Sequence, residues 1–243
     1  MNLTYLALET RRALRSPRAL VFTVGMPVLY YFIFSGIWGS GEVGGINAKT
    51  ALMSSMAAFG AMMGTMFTGA RTAQERAVGW QRQLRLTPLT PVQYLLGKGI
   101  VGMFVGLIPV LLVSIVGGID GASLSAGGWV QLVLGVWLSA IPFAVLGLLI
   151  GQLATPDTIP VFTMVPMLLC GFLGGLWIPI AIFPHWLGQV AKVLPSYWMA
   201  DIGHGAVGHG SANLGAAAGV LAAWAIVLGA LVMLRYRRDA ARG

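Results

Sequence analysis

Few side chains in this sequence belong to types that do chemistry, and their spacing argues mostly against reactions. His204 and His209 are five apart across glycines, whereas two helical zinc ligands stand four apart on one face. His185 stands alone, so no metal site is expected. The single cysteine, Cys170, lies in an apolar run. It excludes a disulfide framework and reads as a small packing residue. Ser123 and Ser125, in GASLSAGG, have no general base beside them to raise a nucleophile. The only Gly-Lys pair, Gly97-Lys98, lacks both the upstream glycine and the following Ser or Thr of a phosphate loop. The chain therefore has no ATP-hydrolysing motif of its own. What remains is a concentration of charge in residues 71–98, RTAQERAVGWQRQLRLTPLTPVQYLLGK. It holds Glu75 and five of the 15 Lys and Arg residues: Arg71, Arg76, Arg82, Arg85 and Lys98. That stretch points to binding and coupling, and the elements around it must position it.

Those elements are apolar. Of 243 residues, 57% are hydrophobic and only 9% charged, and mean hydropathy is +0.83. A soluble domain carries roughly 25% charged residues, so the class is an integral membrane protein. Six runs are long enough to cross a bilayer, which takes about 20 apolar residues: 19–39, 50–70, 99–119, 129–153, 159–180 and 214–234. None contains Asp, Glu, Lys, Arg or His. The first is too long for the hydrophobic region of a signal peptide and is read as a retained span.

The net charge of +8 is explained by topology. On a six-span path, thirteen basic residues fall on one side, in the N-terminal segment, 71–98 and the C-terminal tail. Only Lys49 and Lys192 fall on the other. By the positive-inside bias, both termini and 71–98 are cytoplasmic, and a nucleic-acid partner is unnecessary.

Residues 2–16 repeat Leu3, Leu6, Ala7, Thr10, Ala13 and Leu14 at helical spacing, with Arg11, Arg12 and Arg15 off that stripe. An interfacial helix over 1–18, ended by Pro17, fits this pattern; a frayed basic terminus is the alternative. In the charged stretch, 72–84 predicts a helix with Ala73, Ala77, Trp80 and Leu84 on one face. Thr87-Pro88-Leu89-Thr90-Pro91 then breaks it. Thr90 as N-cap, Pro91 at the first position and Gln93 completing a capping box start a second helix that runs into span 3. Trp80, Leu84, Leu86 and Leu89 would project apolar groups rimmed by charge, a docking pattern; the alternative is a hairpin that only satisfies topology. On the outer side, 181–213 carries Phe183, Trp186, Leu187, Val190, Val193 and Leu194 at helical spacing, with Pro184 and Pro195 near the two ends of the pattern. It predicts a re-entrant helical hairpin, or else an amphipathic surface helix.

The order Glu75-Arg76-x-x-Gly79, Leu84, Thr87-Pro88-Leu89-Thr90, Tyr94 and Gly97-Lys98, placed between spans 2 and 3, resembles the cytoplasmic loop of ABC-2 type transporter permeases. These are membrane subunits of bacterial ABC exporters whose ATPase is a separate chain. The resemblance extends over the whole chain, read as one transmembrane domain, 1–243: basic N-terminal helix, six spans, this loop, a broken outer hairpin and a basic tail. It implies an all-α fold, with a coupling helix over 71–98 that seats in the ATPase. It assigns that docking to Glu75, Arg76, Gly79, Trp80, Leu84, Arg85, Leu86, Thr87, Pro88, Leu89 and Thr90. It also implies two ATPase subunits holding ATP and Mg, a second permease chain joined through spans 1 and 5, the bacterial plasma membrane, and export. One departure is Trp80-Gln81-Arg82-Gln83, where the family often has a more acidic segment.

The residues support an externally powered machine independently. Ion-coupled transporters place ionisable groups within spans, and these spans have none, so the energy of active transport must come from a partner. Gly60–Gly64, Gly102–Gly106, Gly147–Gly151, Gly171–Gly175 and Gly215–Gly219 are close-packing patterns that select no interface in a chain with 34 glycines. The expected function is the permease subunit of an ATP-driven exporter of an amphipathic, lipid-like or drug-like compound. A structural or regulatory membrane protein docking a cytoplasmic partner is the second reading, and a facilitative channel the third.

Overall fold

The structure, a computed structural model, describes residues 3–15, 21–39, 41–43, 46–79, 90–208 and 213–240. It is a helical bundle built around one central helix. α1 (Leu3–Leu14) is followed by a π-helical turn, Val21–Gly25, that leads into α2 (Met26–Trp38). A two-stranded antiparallel ribbon, β1 (Glu42–Val43) with β2 (Ile46–Asn47), then feeds α3 (Ala48–Ala70). This ribbon is the one departure from an all-helical fold among the described residues. Asn47 caps α3 by accepting from the Lys49 backbone N–H. α4 (Thr72–Ala77) extends α3 beyond a single-residue joint at Arg71.

α5 (Pro91–Ile119) begins where Thr90 and Gln93 form the expected capping box. The fourth crossing is assembled from α6 (Ala126–Val130), a π-helical turn Gln131–Gly135, α7 (Val136–Ser139) and α8 (Ile141–Leu153). α9 (Ile159–Leu173), α10 (His185–Ala191), α11 (Pro195–Ala206) and α12 (Leu214–Ala240) complete the chain.

Among the described residues, five helical stretches are long and apolar enough to cross a membrane: Val21–Trp38, Ala48–Ala77, Val92–Ile119, Ala126–Leu153 and Leu214–Arg238. The expected sixth, 159–180, is cut short. α9 stops at Leu173, where Gly175 takes φ +80 and the Leu176 and Trp177 amides turn back to the Gly171 carbonyl. Fifteen residues span roughly 22 Å, against a hydrocarbon core of about 30 Å. The outer segment is two short helices. α11 is the buried one, turning Ser196, Ala200, Gly203 and Ala206 inward against α3, α9 and α12.

α3 is almost wholly buried, with α5 and α8 as its main partners. Glycines make this possible. A Cβ on Gly64 would stand 2.8 Å from the Gly106 Cα, and one on Gly69 would stand 2.6 Å from the Gly147 carbonyl carbon. The glycine pairs of spans 2, 3 and 4 therefore pack within the chain. Those of span 6 are different: Gly219 has nothing within 4 Å.

Candidate functional site

α3, α5 and α8 run alternately, so the C-terminal ends of α3 and α8 and the N-terminal end of α5 lie together at one end of the bundle. The described parts of the charged stretch, 71–79 and 90–98, sit there. α4 carries Thr72, Ala73 and Glu75 inward. Thr72 donates its hydroxyl to the Gly69 carbonyl at 2.9 Å, which secures the joint at Arg71. The helix ends at Ala77, with Gly79 at φ +72 accommodating the left-handed turn. Only glycine adopts that conformation without a Cβ penalty.

The expected helix over 72–84 is therefore broken at Gly79. Ala73 faces the core and Ala77 is exposed, so the two do not share a buried face. The expected docking residues Trp80, Leu84, Arg85, Leu86, Thr87, Pro88 and Leu89 lie outside the described residues. Thr90 is exposed at the start of α5.

Glu75 is the centre of an ionic knot. It is 8% exposed, and Lys98, two turns into α5, is 4% exposed. Lys98 Nζ donates to Glu75 Oε1 at 2.5 Å and to Glu9 Oε2 of α1 at 2.5 Å. Tyr94, one turn earlier on α5, donates its hydroxyl to Glu75 Oε2 at 2.9 Å. Arg12 reaches Glu75 Oε1 at 3.4 Å from the exposed side. Charges this buried are tolerated only when each has a partner. The knot supplies those partners from three helices distant in sequence.

Arg76 points the other way. Its guanidinium donates to the Gly151 carbonyl at 3.2 Å and to the Gln152 carbonyl. These are among the orphan carbonyls at the end of α8, where a cation also meets the negative end of the helix dipole. Glu75 thus ties α4 to α1 and α5, and Arg76 ties it to α8. Tyr5 of α1 packs against Gly97. Burial, and then the neighbouring Glu9 and Glu75 carboxylates, push its phenol above the ordinary range.

Sequence reasoning placed Glu75 and Arg76 at this end but missed the rest of the knot. Lys98 was counted among the topological charges; it is instead a buried countercharge. Glu9 carried a signal that could have been used, as a lone carboxylate between apolar residues of an amphipathic helix.

At the opposite end of the bundle a second ionic contact links the same helices. Lys49 of α3 donates to Asp120 Oδ1 at 2.9 Å, and Tyr31 of α2 donates to Asp120 Oδ2 at 2.9 Å. The Lys49 hydrogen bond holds the Asp120 carboxyl below its ordinary range. Ser55 of α3 and His204 of α11 are paired at 3.0 Å. No group of three or more His, Cys, Asp and Glu side chains that could hold a metal occurs among the described residues.

A family model described as ABC-2 family transporter protein matches residues 42–234, a range that includes α3, α4, α5 and α8. The chain belongs to the ABC-2 transporter family. The chain is also similar to the Bacillus subtilis (strain 168) protein named "Putative transport permease YvfS". The two are 28% identical over 191 residues, 78% of each chain. The ABC-2 match covers Glu75, Arg76, Tyr94 and Lys98, whereas Glu9 and Arg12 precede it. The family places this chain among multi-pass membrane transport proteins, and the apolar helices agree with it.

Proposed function

We propose that the chain is the permease subunit of an ATP-driven exporter, powered by a separate ATPase subunit that docks on residues 71–98. The observation that carries this reading is the Glu75–Lys98–Glu9 knot. It makes the segment entering residues 80–89 mechanically continuous with α1, α5 and, through Arg76, α8. A flexible tether would dissipate a push, whereas buried ion pairs in one packed cluster transmit it.

The complex has two ATPase subunits, which bind ATP and Mg, and two permease chains; this chain is not an enzyme by itself. It lies in the bacterial plasma membrane with both termini cytoplasmic, as the thirteen-to-two partition of basic residues argues. α9, too short to cross alone, completes a sixth crossing together with the turn that follows it, and the described part of 181–213 re-enters from the outer side. A second permease chain seats on α2 and α9, which expose Phe32, Ile33, Val161 and Leu169. The cargo is an amphipathic, lipid-like or drug-like compound moved outward.

The test replaces residues 80–89 by a Gly/Ser linker. ATPase co-purification and ATP-dependent uptake of labelled lipids and drugs into inverted vesicles are then measured. Both are expected to be lost. Retention of both refutes coupling through this segment.

A further inference from the structure

A cleft of about 810 Å³ opens between α1 and the adjoining ends of α3, α4 and α5. That is within the ~300–1,000 Å³ of sites that hold small ligands. Arg11, Arg12 and Arg15 line it from α1, and Arg71 and Lys98 line it from the bundle. The carboxylates in its walls are Glu9 and Glu75, and Lys98 bridges both. The lining thus carries five cations against two carboxylates, an excess of three positive charges at the end of apolar helices.

Gln74 and the Thr68 hydroxyl add two uncharged polar groups, and the remaining wall is apolar. Val101 and Thr68 come from within the long helices, and Leu8 and Val78 stand on the rim, 61% and 76% exposed. A soluble anion would use the arginines and leave this apolar rim against water. An anionic phospholipid uses both. Its phosphate meets the arginines, and its acyl chains continue past the exposed Leu8.

We propose that this cleft binds an anionic phospholipid headgroup from the leaflet beside α1. The phosphate is held chiefly by Arg11 and Arg15 on one wall and Arg71 on the other. Guanidinium groups suit this role because they donate to phosphate oxygens two at a time. The bound lipid staples α1 to the ends of α3 and α5 and makes the knot's geometry sensitive to lipid composition. This inference does not depend on the ATPase reading.

Native mass spectrometry of the detergent-purified full chain tests it, with dioleoyl-phosphatidylglycerol and dioleoyl-phosphatidylcholine in competition. The wild type should retain the phosphatidylglycerol selectively. Arg11→Gln with Arg15→Gln should lower that selectivity about thirty-fold, from roughly 1 kcal/mol for each basic residue near an anionic lipid. Both arginines are exposed, so the fold is kept. The control is Arg237→Gln with Arg238→Gln, exposed on α12 outside the cleft lining; it should leave selectivity intact. Equal retention of the two lipids by the wild type overturns the proposal. So does an equal loss in the two double variants, which would mean general surface charge. Displacement of the lipid by millimolar inorganic phosphate also overturns it, because the site would then serve a soluble anion.

Discussion

Lys98 and Glu75 form an ion pair of 2.5 Å across 23 residues, with both side chains at least nine-tenths buried. The pair is costly to leave half-made. In Lys98→Met, Glu75 and Glu9 both lose the ammonium between them, and stability should fall by about 3–5 kcal/mol, the cost of stranding a buried charge. Combining Lys98→Met with Glu9→Gln and Glu75→Gln removes the stranded charges as well. Most of the loss should then be recovered, because an uncharged cluster of similar volume is often neutral in stability. Thermal unfolding in detergent reads both. A triple variant no more stable than the single one would show that the knot acts through something other than charge.

Asp120 sets an acid limit at the other end. Its carboxyl is held below the ordinary value of 3.8 by the Lys49 hydrogen bond first, with Tyr31 adding to it. Because the folded-state value is the lower one, the contribution to stability is present above the ordinary value and is lost as pH falls through the depressed one. The thermal midpoint of the wild type should therefore drop more steeply below about pH 4 than that of Asp120→Asn. Parallel curves would remove Asp120 from the acid response.

Gly79 ends α4 with φ +72 and has nothing within 4 Å of where a Cβ would stand. Space is free, so any cost comes from the backbone. Gly79→Ala should destabilise by about 1–2 kcal/mol. Gly79→Asn should cost less, because its short polar side chain tolerates the left-handed region. Equal midpoints for the two variants would contradict this account.

The glycines of the central seam differ in kind from those of the last helix. Gly69→Ala drives a methyl into the Gly147 backbone and should cost about 1–3 kcal/mol through overpacking. Gly229→Ala meets open space within α12. It should be neutral or stabilise by about 0.5–1 kcal/mol through helix propensity. Reversal of that order in thermal midpoints would mean the α3–α8 seam is not closed.

The periodic and punctuating features of the chain could be read directly. The apolar runs of α3, α5, α8 and α12, and the Thr90-Pro91-Gln93 start of α5, are local patterns, and the structure keeps them. What escaped was tertiary. Nothing near Lys98 in sequence says that it is buried, because its partners come from α1 and α4. The early stop of α9 depends on Gly175 taking a left-handed turn, and a glycine among apolar residues fits a span equally well. α11 was absorbed into an outer hairpin because it follows directly on the apolar pattern that ends at Pro195. Its informative stripe is the small one, Ser196, Ala200, Gly203 and Ala206, which marks a helix approached closely by neighbours.

The two Lys–carboxylate contacts join the same pair of helices with the charges exchanged. Lys49 lies on α3 and Asp120 at the end of α5; at the other end Glu75 lies on the α4 extension and Lys98 on α5. Reversing one helix against the other would set lysine against lysine and carboxylate against carboxylate. Between the two ends, Gly64 and Gly106 bring the backbones into contact. The result is a polarised strut, fixed in register at both tips and incompressible in the middle. Any opening of this protein then has to run along seams that lack such an ion pair, and the strut travels through it as a single body.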